Sequence, residues 1–210
     1  MLFRSYVHPI GGQLKSEHLK LIINKIEVMN EVEIRLAMSE GLYIRNLNGK
    51  EAEIFLELTE KMGGSTSLEC SIACIGVPTC QMGILESQHT LREILSYFKE
   101  NNLTEDILPR VHISGCPNSC SVHEIGTIGF CGKKKKVQDQ LINVFELHLG
   151  GKLGIGKTKL GKYYGDVKQE EVPKFLFELA SAASIAKKDF TSWTEQNMYE
   201  LNEIVNKYIV

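Results

Sequence analysis

No stretch of this 210-residue chain is apolar for long enough to cross a bilayer as a helix. Neither sign of charge is in excess. Twenty-four Lys and Arg face 26 Asp and Glu, a net charge of −2, so nothing global points to nucleic acid or an anionic membrane as partner. The opening residues Met1-Leu2-Phe3-Arg4-Ser5-Tyr6 lack the apolar core of a signal peptide. The expected location is therefore the cytoplasm, where disulfides are rare. There is no internal repeat. No strand-linked G-x-G-x-x-G opens a helix, so a flavin or nicotinamide fingerprint is missing. The rest of the composition, 43% hydrophobic and 24% charged, is that of a globular protein. The length suits one domain with a good core or two small ones.

Cysteine is where the chain departs from the ordinary. Cys74 and Cys80 form a C-x5-C pair, and Cys116 and Cys120 a C-x3-C pair. Four thiolates are the usual complement of a cubane iron–sulfur cluster. Both pairs lie among glycines and prolines, which let backbone wrap closely around an inorganic core. Zinc is the competing metal, although C-x5-C is longer than the usual zinc spacing. Inert buried thiols are a further reading. That reading suits Cys70 and Cys131, which adjoin apolar runs, although Cys70 is close enough to the first pair to rival it as a ligand.

The pattern along the chain predicts a strand over 2–7, a helix from Leu14 to Met29 with Leu19, Ile22, Ile23 and Ile26 on its packed face, and a hairpin of 32–36 with 42–45. A second helix follows from Glu51 to Met62. This β-α-β-β-α order is most of a ferredoxin-like split unit. Gly63-Gly64-Ser65-Thr66-Ser67 reads as a boundary. Beyond it come a strand into the first cysteine pair, a helix over 85–100 and a short strand at Val111-His112-Ile113. Two further strands, 125–131 and 144–149, are expected with Lys133–Lys136 in a loop between them. A helix over 170–183 and one more over 190–210 complete the reading. Gly151-Lys152-Leu153-Gly154-Ile155-Gly156-Lys157-Thr158 matches the nucleotide P-loop by letter, but 159–165 holds two glycines and no apolar stripe for the helix a P-loop needs.

The two pairs, with Gly115-Cys116-Pro117-Asn118 and Leu147-His148-Leu149-Gly150-Gly151, resemble the cluster half of the nitrite and sulfite reductases. The resemblance runs from about Pro9 to the end and is most specific from Ala73 to Gly151. It implies an α+β chain: a ferredoxin-like half-domain over 1–64, then an α/β 4Fe-4S/siroheme domain over 65–210 with a helical tail. It also implies that Cys74, Cys80, Cys116 and Cys120 hold a 4Fe-4S cluster, and that Cys120 bridges it to the iron of siroheme. The implied activity is reduction of sulfite to sulfide or nitrite to ammonia. With no flavin or nicotinamide motif, electrons are expected from another protein such as ferredoxin. Arg35 is the candidate for contact with substrate or a cofactor carboxylate, and Lys152, Lys157 and Lys159 are candidate cofactor partners. Lys133–Lys136 reads either as a solvated turn or as a docking patch for an acidic donor.

Three departures accompany the resemblance. The long reductases carry two copies of this module and this chain one, so it resembles a small single-module sulfite reductase or one partner of an oligomer. The family's Arg-Leu-Thr and Arg-Gln elements stand here as Arg35-Leu36-Ala37 and Ser39-Glu40, and Tyr6 and His8 stand where the family places basic residues. The resemblance therefore leaves a second reading, a 4Fe-4S electron-transfer subunit without active siroheme.

Overall fold

The computed structural model describes all 210 residues, which divide into two compact units, Met1–Ser65 and Thr66–Val210. Both mix helices with sheet, an α+β architecture.

The first unit runs β1 (Phe3–Val7), α1 (Ser16–Ile26), β2 (Glu33–Leu36), β3 (Leu42–Leu47) and α2 (Gly49–Thr59). The strands form an antiparallel sheet in the order β1-β3-β2. β3 is central because it alternates: Leu42, Ile44 and Leu47 are buried in one cluster with Val7, Ile22, Phe55 and Met62. α2 begins with a capping box, Asn48 accepting from the Glu51 N–H and Glu51 accepting from the Asn48 N–H. The apolar face of α1 is narrower than the sequence predicts. Ile22 is fully buried, whereas Ile23 is 39% exposed. One residue is 100° of helix, which takes Ile23 off the face that Ile22 and Ile26 share.

The second unit contains β4 (Ile72–Ala73), α3 (Ser87–Glu100), β5 (Val111–Ser114), β6 (Ile128–Val137), β7 (Gln140–Leu149), β8 (Lys162–Lys168), α4 (Val172–Ile185), α5 (Phe190–Gln196) and α6 (Met198–Tyr208). Its sheet has the order β4-β5-β6-β7-β8, parallel as far as β6 and antiparallel beyond. Phe130 of β6 and Phe145 of β7 lie edge to face, and Phe175 of α4 packs edge-on against Phe130. α3 contributes Leu91, Ile94 and Phe98 to the buried set.

Two sequence expectations change here, and a third holds. Lys133–Lys136 is strand, not loop: β6 and β7 continue to a two-residue turn at Gln138-Asp139, both with positive φ as a type I′ hairpin turn requires. Four adjacent lysines are tolerated because acids lie across the sheet. Lys133 pairs with Glu146 (2.7 Å) and Asp166 (2.8 Å), and Lys135 with Asp166 (2.7 Å). The tail is two helices, because Asn197 leaves helical geometry (φ −126°, ψ 41°). Gly151–Thr158 leads into the strand β8, so the helix N-terminus that would face a phosphate is not built, as the glycines and missing apolar stripe of 159–165 predict.

Asp166 joins β8 to β6 and is 2% exposed. Burial opposes its ionisation, but hydrogen bonds from Lys133, Lys135 and Tyr163 outweigh it and hold the carboxyl below the usual aspartate range. A depressed folded pKa means the stabilisation is complete above the unfolded value and is lost as pH falls through the folded one. Asp166→Asn should therefore cost about 1–3 kcal/mol at pH 7. In urea titrations across the acid range it should also lose part of the stability slope that the parent protein shows below about pH 4.

Candidate metal centre

Parallel pairing of β4 and β5 sets the centre up. Ala73 lies opposite Ile113, so Cys74, just beyond β4, meets Gly115 and Cys116, just beyond β5. The Cys74 N–H donates to the Ile113 carbonyl (3.1 Å), and the Gly115 N–H donates to Cys74 Sγ (3.1 Å). Ser87, buried at the start of α3, donates to the Cys74 carbonyl (2.6 Å) and lies 3.2 Å from Cys74 Sγ. Gln88 donates to the Ala73 carbonyl (2.6 Å).

The loop between the first two cysteines folds back on the second loop. The Cys80 N–H donates to Gly76 (2.7 Å), and the N–H groups of Ile84 and Leu85 both donate to the Gly115 carbonyl (3.1 and 2.9 Å). Glycine is needed where these backbones touch. A Cβ at Gly115 would lie 2.6 Å from the Leu85 carbonyl oxygen. A Cβ at Gly76, which has φ of +58°, would lie 2.8 Å from the same atom.

The Cys116–Cys120 loop turns back through Ser119 and Val122, both with positive φ. It is held by His123, a residue that sequence pattern alone does not single out. His123 is buried, and its Nδ1 lies 3.1 Å from Ser119 Oγ and 3.1 Å from Ser114 Oγ. His112 adds a hydrogen bond from Nδ1 to the Ser121 carbonyl (2.8 Å). Burial, followed by His148, lowers the His123 pKa, and burial lowers that of His112, so both rings favour the neutral form. The available signal was the alternation of β5, which puts His112 and Ser114 on one face running into the second pair.

Hydrogen bonds at Gly115 bring the two cysteine loops together. Desolvation, then the thiols of Cys74, Cys116 and Cys80, push the Cys120 thiol up, so all three lie within electrostatic reach of it. None of the six cysteines is in a disulfide. No three His, Cys, Asp or Glu side chains are drawn tightly enough to hold a single metal ion. Four free thiols from two mutually bonded loops are a donor set that fits a larger cluster. Cys120 is the most open, exposed where Cys116 is buried. Cys70 and Cys131 are buried, Cys131 being pushed up to about 12 by burial and then Glu146, as neutral core thiols are.

The other candidates have different settings. Arg35 is exposed on β2 and donates from Nε and Nη2 to Glu33 of the same strand (3.1 and 3.3 Å). Lys152 and Lys159 exchange backbone hydrogen bonds (2.9 Å each), and Lys157 sits in the turn between them. All three lysines are exposed.

Comparison with known proteins agrees with this architecture. Residues 68–182 match the family described as the nitrite and sulphite reductase 4Fe-4S domain. The chain is 28% identical over 165 residues to a sulfite reductase [NADPH] hemoprotein beta-component of Bacillus licheniformis, covering 73% of this chain and 27% of that protein. It is 24% identical to a ferredoxin–nitrite reductase of Synechococcus elongatus, covering 82% of this chain and 34% of that one. The structure of the Mycobacterium tuberculosis NirA protein shares the fold, with a TM-score of 0.76 and 21% identity over 95% of this chain and 39% of its own. The chain thus spans between a quarter and about a third of the length of these curated relatives. No helix is long and apolar enough to cross a membrane.

Replacing His123 by Phe should strand the Ser114 and Ser119 hydroxyls and cost about 1–3 kcal/mol in urea unfolding of the metal-free protein. Asn places a polar atom near the position of Nδ1, so His123→Asn should recover most of that loss. Equal destabilisation by the two would show that ring volume, not the Nδ1 bonds, holds the loop.

Proposed function

The chain belongs to the nitrite and sulphite reductase 4Fe-4S domain family, and we propose that Cys74, Cys80, Cys116 and Cys120 hold a 4Fe-4S cluster which, together with siroheme, serves reduction of sulfite to sulfide or nitrite to ammonia. The observation that carries this reading is that the two cysteine loops are bonded to each other at Gly115 with all four thiols free. Held by these cysteines, a cluster with siroheme would supply the electrons that the side chains themselves cannot.

The chain's own residues have distinct parts in this reading. Gly115 donates its N–H to the Cys74 sulfur, which stabilises thiolate charge and tunes the potential of a bound cluster. Ser87 steadies the same cysteine through its carbonyl. The exposure of Cys120 supports giving it the bridge to siroheme. Arg35 supplies a guanidinium for an anion, in exchange for its bonds to Glu33. Lys152, Lys157 and Lys159 supply ammonium groups for carboxylates. Electrons arrive from a partner protein, and a reducing cytoplasm keeps the thiols free.

A second reading, cluster-based electron transfer without siroheme, is favoured by one observation. Arg35 is occupied by Glu33, and Ala37, Ser39 and Glu40 stand where the family pattern has threonine, arginine and glutamine.

Anaerobically reconstituted protein should contain about four iron and four acid-labile sulfides per chain, with broad visible absorption. Cys74→Ser, Cys80→Ser and Cys116→Ser should lose that absorption, because a poorly ionised hydroxyl is a weak ligand for this iron. Cys120→Ser separates the readings. Under the first, added siroheme is retained but its magnetic coupling to the cluster is lost. Under the second, the parent protein takes up no tetrapyrrole and Cys120→Ser behaves like Cys116→Ser. Colourless protein after reconstitution would defeat both.

A further inference from the structure

His148, on β7, is a titratable group that holding a cluster does not require. Its side chain is 14% exposed, and its Nε2 is buried with no hydrogen-bond partner. A buried ring nitrogen left unbonded is uncommon. One acceptor stands close to it. Glu146 Oε2 lies 3.6 Å from Nε2, too far for a hydrogen bond but near enough for an ion pair. The other carboxylate oxygen of Glu146 is taken by Lys133 (2.7 Å). A carboxylate oxygen only accepts, so this contact can close when Nε2 carries a proton, and most strongly when the whole ring is cationic.

The groups around His148 keep their charge while a ring can change its own. Lys133 and Lys135 face Glu146 and Asp166, two cations against two anions. Burial works against the Lys133 charge, but hydrogen bonds with Asp166 and Glu146 outweigh it and raise its pKa. Asp166 is held below the usual aspartate range. Burial, then the bond to Asp166, raises the Tyr163 phenol, and burial, then Glu146, pushes the Cys131 thiol up to about 12. Lys133, Asp166, Tyr163 and Cys131 therefore each keep one state between about pH 5 and 8, the range in which imidazoles charge. His123 lies 5.1 Å from His148, ring to ring, and is pushed towards the neutral form by burial and then by His148. Burial does the same to His112. Glu124 also faces His123 and is exposed. From His123 the line runs on to the second cysteine loop: its Nδ1 lies 3.1 Å from Ser119 Oγ, and Ser119 precedes the exposed Cys120.

We propose that His148 is the proton acceptor that balances the charge of an electron held at the second cysteine loop, with Glu146 holding the imidazolium that results. The proposal rests on the cluster reading and adds the place where the compensating charge is kept. Negative charge gained beside Cys120 attracts a cation more strongly through protein than through water. The electron comes from a one-electron donor such as a reduced viologen dye, and the proton from water at the half-exposed Glu146. One electron and one proton enter, so the net charge is unchanged, and the only bond formed is N–H at Nε2. The imidazolium then makes the hydrogen bond that Nε2 lacks. Reduction of an oxyanion consumes protons as well as electrons, so a base that loads with each electron is also a proton reserve.

The test is a redox titration of the reconstituted full chain, followed by its visible absorption between about pH 5 and 8. In the parent protein the reduction equilibrium should shift towards the oxidised form as pH rises, by up to about tenfold per pH unit, the limit for one proton per electron. His148→Phe should keep the iron and sulfide content of the parent and lose most of that slope. Glu146→Gln should keep the cluster and move the sloping region about one pH unit towards acid, because the imidazolium loses its carboxylate. In weakly buffered solution, dye reduction should draw protons from a pH indicator with the parent and far fewer with His148→Phe. A histidine that only fills space would leave the slope as it is. A parent potential that does not vary with pH, or a slope that survives in His148→Phe, would overturn the proposal. If His148→Phe holds no cluster, Glu146→Gln decides, and an unmoved pH response there overturns it too. If the parent protein shows no iron–sulfur absorption, the cluster reading fails and the proposal with it. Normal absorption with a pH-independent potential removes the proposal alone.

Discussion

The short parallel pairing of β4 with β5 is the constraint on which the rest of the centre depends. Only two residue pairs are in register, Ile72 with His112 and Ala73 with Ile113. Each strand stops just before a cysteine loop, so a slip of one residue would carry Cys74 away from Gly115 and turn its side chain to the other face. Gly115 then uses both of its backbone groups across the gap, its N–H to the Cys74 sulfur and its carbonyl to Ile84 and Leu85. No side chain could stand at this position, because the Leu85 carbonyl occupies the space a Cβ needs. The two cysteine loops therefore behave as one backbone assembly.

On the sheet beside this assembly lies a polar face that the core packing does not explain. Cross-strand pairing sets Cys131 against Glu146 and Glu146 against Asp166, with Lys133 bonded to both acids. The His148 ring lies 5.1 Å from that of His123 and 5.9 Å from that of Tyr163. So many half-buried charges are stable only because each is met by its opposite or by a hydroxyl. The arrangement ties the position of β8 to that of the turn after Cys120, through His123 and the Gly161–Glu124 bond. Sequence-distant strands thus help hold the second cysteine loop.

The two cysteine pairs stand out in the sequence because their signal is local: residue type, spacing and glycine flanks all lie within two short segments. The β-α-β-β-α order of the first unit was legible for a related reason, since hydrophobic periodicity there is strong in each element. What escaped depends on partners far away in sequence. The lysine run looks like a loop until Glu146 and Asp166 are set opposite it. β8 holds Gly165 and begins with charge, and it is a strand because β7 offers an edge for it. His123 reads as an ordinary polar residue until the fold brings Ser114 and Ser119 to its Nδ1. The break at Asn197 is a local bend within a continuous helical pattern, which periodicity cannot resolve.

The segment after Gly151 shows how one string of letters can serve different physics. In a phosphate-binding loop, glycines free backbone N–H groups to point at an anion and a following helix adds its dipole. Here the glycines do something else. Gly151 lets the hairpin base press against the Gly126 carbonyl, where a Cβ would stand 2.4 Å from the oxygen, and Gly156 takes a positive φ at the tip. Two of the N–H groups that a phosphate would need are spent inside the hairpin: Gly154 donates to Thr158 Oγ1 and Lys157 to the Gly154 carbonyl. Lys152, Lys157 and Lys159 are exposed around this braced turn. A phosphate chain would find neither these N–H groups free nor a helix dipole here, because β8 follows.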